Sequence, residues 1–140
     1  MILIDTSVLS RVFRRRHPGD AERRLRAVFE DLMAGDAALG LPGIVLQEVL
    51  SGIRSRRQFE DLRTKLLGAF VVVPEGMREH VEAARIRNIC LGKGLNVTGV
   101  DCLIAACAVV GGHELFAIDD DVDSIAKQVP LKMFTPGRSA

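Results

Sequence analysis

A chain of 140 residues, 48% hydrophobic and 26% charged, is long enough to bury one substantial core and too apolar to be disordered. Its formal net charge of +1 excludes a uniformly basic or acidic molecule, and the absence of Trp and Tyr argues against a platform for stacking unpaired bases. The longest apolar run, Cys102 to Val110, is far too short to cross a bilayer, so no membrane partner is expected.

Ile2-Leu3-Ile4 is a short apolar run without helical period, the pattern of a central strand buried on both faces of a parallel sheet. Asp5 ends it, and Thr6 and Ser7 are N-cap residue types standing before the helically spaced Val8, Leu9, Val12 and Phe13. Taken alone, Asp5 is better read as a plain helix cap than as a ligand. His17-Pro18-Gly19-Asp20 reads as a turn, with Asp20 capping a second helix that reaches about Met33. Ala37 to Leu41 is predicted as the second strand. Pro42-Gly43 then opens a helix with Val45, Leu46, Val49, Leu50 and Ile53 on its inner face. A polar helix from Arg56 to about Leu67 leads to a β-branched strand at Ala69 to Pro74. Glu75 begins a long helix ending at the glycines around Lys93, and Thr98 caps the next, Asp101 to Val110, which Gly111-Gly112 stops. Leu115 to Ile118 is a fourth strand, Val122 to about Val129 a short helix, Leu131 to Phe134 an edge strand, and Thr135 to Ala140 a loose tail. Strands and helices alternate throughout, which predicts a single domain over 1–140 with a three-layer α/β/α architecture and a mostly parallel sheet.

Charge is distributed unevenly. Arg11, Arg14, Arg15, Arg16, Arg23, Arg24 and Arg26 crowd the first helical region, whereas Glu114, Asp119, Asp120, Asp121 and Asp123 precede any basic residue near the other end. Such a split suits an acidic pocket beside a basic landing surface, and equally two solvated faces of opposite sign. Cys90, Cys102 and Cys107 have no close CxxC pair and read as buried thiols in a reducing, cytoplasmic compartment; no secretory signal is visible. His17, His80 and His113 lack zinc-ligand spacing.

In a βαβ unit the helices start at the edge where the strands end, so Asp5, Glu48, Asp101 and Asp119 should converge on one rim. Each has a plainer explanation. Asp101 stands three residues after Thr98 in capping-box spacing, Glu48 could be an ordinary helix-surface residue, and Asp119-Asp120-Asp121 could cap the helix that follows. Yet Cys102 to Val110 is apolar all round, so Asp101 would enter a buried environment where a carboxylate needs a partner or a metal. Glu48 sits at the margin of its helix's apolar stripe, with Gly52 one turn on expected to leave space beside it. Clustered carboxylates repel, and no Lys or Arg occurs in the four acidic motifs to offset them. A hard divalent cation, Mg2+ or Mn2+, would resolve the repulsion and suits phosphoryl chemistry.

Ile2-Leu3-Ile4-Asp5-Thr6-Ser7, Gln47-Glu48-Val49-Leu50-Ser51-Gly52, Asp101-Cys102-Leu103-Ile104-Ala105-Ala106-Cys107-Ala108 and Leu115-Phe116-Ala117-Ile118-Asp119-Asp120-Asp121 occur in this order along nearly the whole chain. Together they resemble the PIN-domain ribonucleases, and among these the VapC-type toxins of VapBC toxin-antitoxin pairs. The resemblance implies an endoribonuclease dependent on magnesium or manganese, with an acidic quartet at Asp5, Glu48, Asp101 and Asp119 and with Asp121 as an additional metal ligand. On that reading Asp5 and Asp101 hold the metal, Glu48 and Asp119 position water or a second metal, and the Thr6 hydroxyl orients the attacking water. Ala117 and Val122 depart from the family pattern, where Thr or Ser and Phe are common, which leaves the roles of Asp119 and Asp121 open. The resemblance further implies an RNA substrate, a cognate antitoxin received by the paired helices between Pro42 and Gly68, and a homodimer. Arg14, Arg15, Arg16, Arg54, Arg56 and Arg57 are candidate phosphate contacts. Two rival readings remain: a binding module with a degenerate, non-catalytic pocket, and an aspartyl-phosphate enzyme. The second lacks an Asp-x-Asp after the first strand and an acceptor Asp after the third.

Overall fold

The computed structural model describes residues 1–14, the Arg14 side chain excepted, and 19–136, and among them strands alternate with helices as the sequence predicts. Strands β1 (Ile2–Ile4), β2 (Leu39–Pro42), β3 (Val71–Val73), β4 (Glu114–Phe116) and β5 (Lys132–Met133) pair in the order β3-β2-β1-β4-β5, every pairing parallel. Helices α1 (Thr6–Arg14) and α2 (Asp20–Ala34) join β1 to β2, and α3 (Gly43–Leu50) and α4 (Arg56–Ala69) join β2 to β3. Helices α5 (Met77–Gly92) and α6 (Gly99–Gly111) carry the chain across to β4, and α7 (Asp120–Ala126) leads to β5. The three-layer α/β/α architecture is as expected, with the sheet parallel throughout.

Burial explains why the strands are short apolar runs. Leu3, Ile4, Leu41, Leu115 and Phe116 are wholly enclosed because helices cover both faces of the central strands, whereas Val71 on the edge strand β3 is 56% exposed. Helix α6 is the core helix predicted from its unbroken apolar character: Cys102, Ile104, Ala105, Ala106, Cys107 and Ala108 are buried. Its small side chains allow close packing against α5, which contributes Ala83, Ile86 and Cys90. The thiols Cys90, Cys102 and Cys107 are free and buried. No helix among the described residues is long and apolar enough to cross a membrane.

The strand order matters most for function. From β1 the chain moves toward β2, and from β4 it moves the other way toward β5, so α1 and α7 diverge and open a crevice between the carboxyl ends of β1 and β4. Ile4 pairs with Phe116, and the N–H of Asp5 donates to the Phe116 carbonyl at 2.9 Å, which holds the two strand ends level.

Several boundaries differ from the sequence reading for local reasons. Strand β2 begins at Leu39 and keeps Pro42 as its last residue, where the missing N–H costs nothing because the helix follows at once. Strand β4 stops at Phe116, since the N–H of Ile118 donates to Ser7 Oγ at 3.1 Å instead of to a ladder. Helix α7 starts at Asp120, two residues earlier than predicted, with Asp119 as its cap. Glu75 does not begin α5: its carboxylate reaches across to accept from the N–H of Ile44 at 2.7 Å, capping α3, while Gly76 precedes the first turn of α5. Asp20 is the first residue of α2, not its cap, which is Gly19. Half of the predicted turn, 17–18, and the end of the predicted tail, 137–140, lie outside the described residues.

Candidate active site

Asp5 leaves β1 at the crevice and is only 3% exposed. Its two oxygens have different fates. Oδ2 accepts from the Ser7 N–H at 3.1 Å and from Ser7 Oγ at 2.6 Å, which is the N-cap geometry of α1, while Oδ1 is buried with no hydrogen-bond partner. An orphaned buried carboxylate oxygen is unfavourable, and burial raises the Asp5 pKa above the usual carboxylate value. The Ser7 hydroxyl and N–H oppose that shift, and the negative charge of Asp119 reinforces it.

Asp101 sits in the first turn of α6, half-buried, with its N–H donating to Thr98 Oγ1 at 3.1 Å. Burial pushes its carboxyl up to about 6, and repulsion from Asp119, Asp5 and Asp121 adds to this against the lowering effect of the Thr98 hydroxyl. Asp119 caps α7 through Oδ1, which accepts from the Asp121 N–H at 2.8 Å. One carboxylate oxygen from each of Asp101, Asp119 and Asp121 lies within 4.8 Å of the others. Oxygens on opposite sides of a cation coordinated at about 2.0–2.6 Å are separated by roughly that much, so the three could hold one hard divalent ion. Asp5 stands outside that 4.8 Å group, but its charge reaches Asp101, and its Oδ1 is unpartnered.

Glu48 is brought to the rim but stands outside the three-carboxylate group. It is half-buried on α3, and its Oε1 accepts from Thr6 Oγ1 at 2.8 Å. The Thr6 hydroxyl proton is thereby directed at Glu48. Gly52 does not make room for Glu48: a Cβ there would meet nothing within 4 Å, and the residue is needed because the turn after α3 takes φ +86°. That turn forms a shallow cleft lined by Ser51, Gly52, Ile53, Arg54, Ser55 and Gln58. Arg54, Arg56 and Arg57 are exposed at and beyond it. Arg15 and Arg16, with the side chain of Arg14, lie outside the described residues.

Sequence reasoning gave Ser7 no role at the site beyond capping. Its hydroxyl joins the Asp5 carboxylate to the Ile118 N–H and so connects the two strand ends. The local signal was present, since a Ser two residues after an acid at a helix start is placed to bond back to it.

A family model described as "PIN domain" matches residues 2–128, which is most of the chain. The chain belongs to the PIN domain family. The fold of this PIN domain is similar to that of VapBC-1 from nontypeable Haemophilus influenzae, with 14% identity over 99% of this chain and 100% of that one and a TM-score of 0.76. It is also similar to VapBC2 from Rickettsia felis bound to a DNA fragment from their promoter, with 19% identity, coverage of 96% and 98%, and a TM-score of 0.73. VapC20 from Mycobacterium tuberculosis, a sarcin-ricin loop cleaving toxin, aligns with 17% identity over 94% of this chain and 99% of that one, at a TM-score of 0.66. No curated protein matches the sequence.

Proposed function

We propose that this PIN domain is a divalent-metal-dependent endoribonuclease, the toxin of a type II toxin-antitoxin pair. The observation that carries the reading is the convergence of Asp101, Asp119 and Asp121 oxygens within 4.8 Å, with the charge of buried Asp5 reaching Asp101. Asp5, Asp101, Asp119 and Asp121 would hold Mg2+ or Mn2+, whose charge neutralises that developing on phosphate and lowers the pKa of water. Glu48, with Oε1 engaged by Thr6, keeps Oε2 to accept a proton from water or to order it. Both Asp119 and Asp121 then belong to the metal group, and Glu48 with Thr6 to the positioning of water. Arg54, Arg56 and Arg57, with Arg14, Arg15 and Arg16, would bind RNA phosphates as point charges or bidentate forks.

Two protein partners accompany this reading. The relatives described as VapBC support a cognate antitoxin, for which α3, α4 and the cleft between them are the candidate groove. A homodimer, on this reading, would pair through α5. On α5, Met77, Val81, Ala84 and Leu91 share one face, with Asn88 among them, and Met77, Val81 and Leu91 are 80%, 46% and 47% exposed. An apolar seam with that period is the kind that helices pair through.

Sequencing of RNA ends after induction of the parent and of Asp5→Asn tests the function. New ends with the parent and none with the variant are expected. RNA binding without cleavage in any divalent metal would favour the non-catalytic module instead.

A further inference from the structure

Ser7 occupies an unusual position between the strand ends. Its Oγ–H donates to Asp5 Oδ2 at 2.6 Å, its backbone N–H donates to the same oxygen at 3.1 Å, and its Oγ lone pair accepts from the Ile118 N–H at 3.1 Å. The backbone donor requires the hydroxyl proton to go elsewhere than Ile118, so the Oγ–H has one direction available and it is Asp5. Both donors therefore act on one oxygen, and the carboxylate cannot rotate to exchange Oδ1 for Oδ2 without breaking two hydrogen bonds. Ile118 immediately precedes Asp119, so the same hydroxyl also fixes the loop that presents the next acid.

From this geometry we infer that Ser7 is a positioning residue for the metal group: it reserves Asp5 Oδ1 as the single oxygen offered to the cation and sets the distance between Asp5 and Asp119. The inference rests on the metal-dependent reading above. A plain helix cap would need only the backbone bond from Ser7 to Asp5, which any residue could supply. The hydroxyl bonds to Asp5 and Ile118 serve the spacing of two acids on different strands, 114 positions apart in sequence. Partners that orient a metal ligand are worth about 10–100-fold in metal affinity.

The test is Mn2+ binding by titration calorimetry and by electron paramagnetic resonance of free Mn2+, on the parent, Ser7→Ala and the isosteric pair Ser7→Thr and Ser7→Val. Ser7→Ala and Ser7→Val should weaken Mn2+ binding by about 10–100-fold, and Ser7→Thr, which keeps the hydroxyl, should stay within a few-fold of the parent. A purely structural role would lower the melting temperature in chelator and leave the affinity of the folded protein unchanged, and that result overturns the inference. Should Ser7→Ala fail to fold, the comparison of Thr with Val decides the question alone, because the two differ only in hydroxyl against methyl. A parent that binds no Mn2+ refutes the metal-dependent reading itself and takes the inference with it. A parent that binds Mn2+ while Ser7→Val binds equally refutes the role of Ser7 only.

Discussion

Replacing Asp5 by Asn should stabilise the protein in chelator and weaken its response to magnesium. In the parent, Oδ1 is a buried acceptor without a donor, an arrangement that costs about 1–3 kcal/mol. The negative charge of Asp5 also opposes those of Asp119 and Asp101, by about 1 kcal/mol across a solvated cleft. Asn can keep its carbonyl oxygen where Oδ2 accepts from Ser7 and place a neutral NH2 at the Oδ1 position. Against this, two charge-assisted bonds from Ser7 become neutral ones, a loss of roughly 1 kcal/mol. The balance is a net stabilisation of about 1–3 kcal/mol, or roughly 3–12 °C in Tm for a domain of this size. Excess magnesium reverses the order: a ligand at a hundred times its Kd adds about 2.7 kcal/mol to a native state that binds it, and the variant binds it poorly. Thermal melts near neutral pH, in chelator and in magnesium, read both effects. A lower Tm for Asp5→Asn in chelator would refute the reasoning and leave Asp5 as a structural cap whose charge favours the start of α1.

Asp101→Asn should leave the fold intact and reduce cleavage of RNA by the purified, metal-loaded protein to background; near-parental cleavage would remove Asp101 from the site. Because the Asp101 carboxyl rises to about 6 from an ordinary 3.8, the folded state binds the extra proton between those values, and stability in chelator should fall as pH rises through them. Two units correspond to about 3 kcal/mol, which partial exposure to solvent reduces to roughly 1–2 kcal/mol, and denaturant titrations of Asp101→Asn should show a flatter profile. Neutralising Arg14, Arg15 and Arg16 together should flatten the salt dependence of single-stranded RNA binding by about 0.7 per lost phosphate contact; an unchanged slope assigns that basic run to another partner. Val81→Glu should convert a dimer to monomer in sedimentation if the seam on α5 pairs two copies, and should leave the sedimentation of the parent unaltered if it does not.

The strands and helices were legible because each reports its surroundings through period and composition. Ile2 to Ile4 and Leu115-Phe116 are apolar without alternation because both faces are covered, and α6 is apolar all round because it is enclosed. That Asp101 and Asp119 come together is in keeping with the rule that helices begin where strands end, whereas Asp121, and not Asp5 or Glu48, completes their group within 4.8 Å. Who bonds to whom did not follow. Nothing local says that Thr6 will donate to Glu48, 42 positions away, or that Glu75 will cap α3 across 31 positions, since such pairs exist only after the sheet has ordered β1, β2 and β3 side by side.

The sequence also posed a false choice, between an acid that caps a helix and an acid that binds a metal. A carboxylate has two oxygens with lone pairs on each, so the two roles do not exclude one another. Asp5 caps α1 through Oδ2 and leaves Oδ1 unpaired; Asp119 caps α7 through Oδ1 and still brings an oxygen into the group with Asp101 and Asp121. The same arrangement answers how acids cluster with no Lys or Arg among their motifs. The N-termini of α1 and α7 end at Asp5 and Asp119, that of α6 lies one turn from Asp101, and each carries a partial positive charge that offsets part of the repulsion without occupying the space between the carboxylates. A basic side chain would occupy the space between the carboxylates and compete with a cation for it. Helix termini offset the repulsion in part and leave that space open, which suits the metal group proposed above.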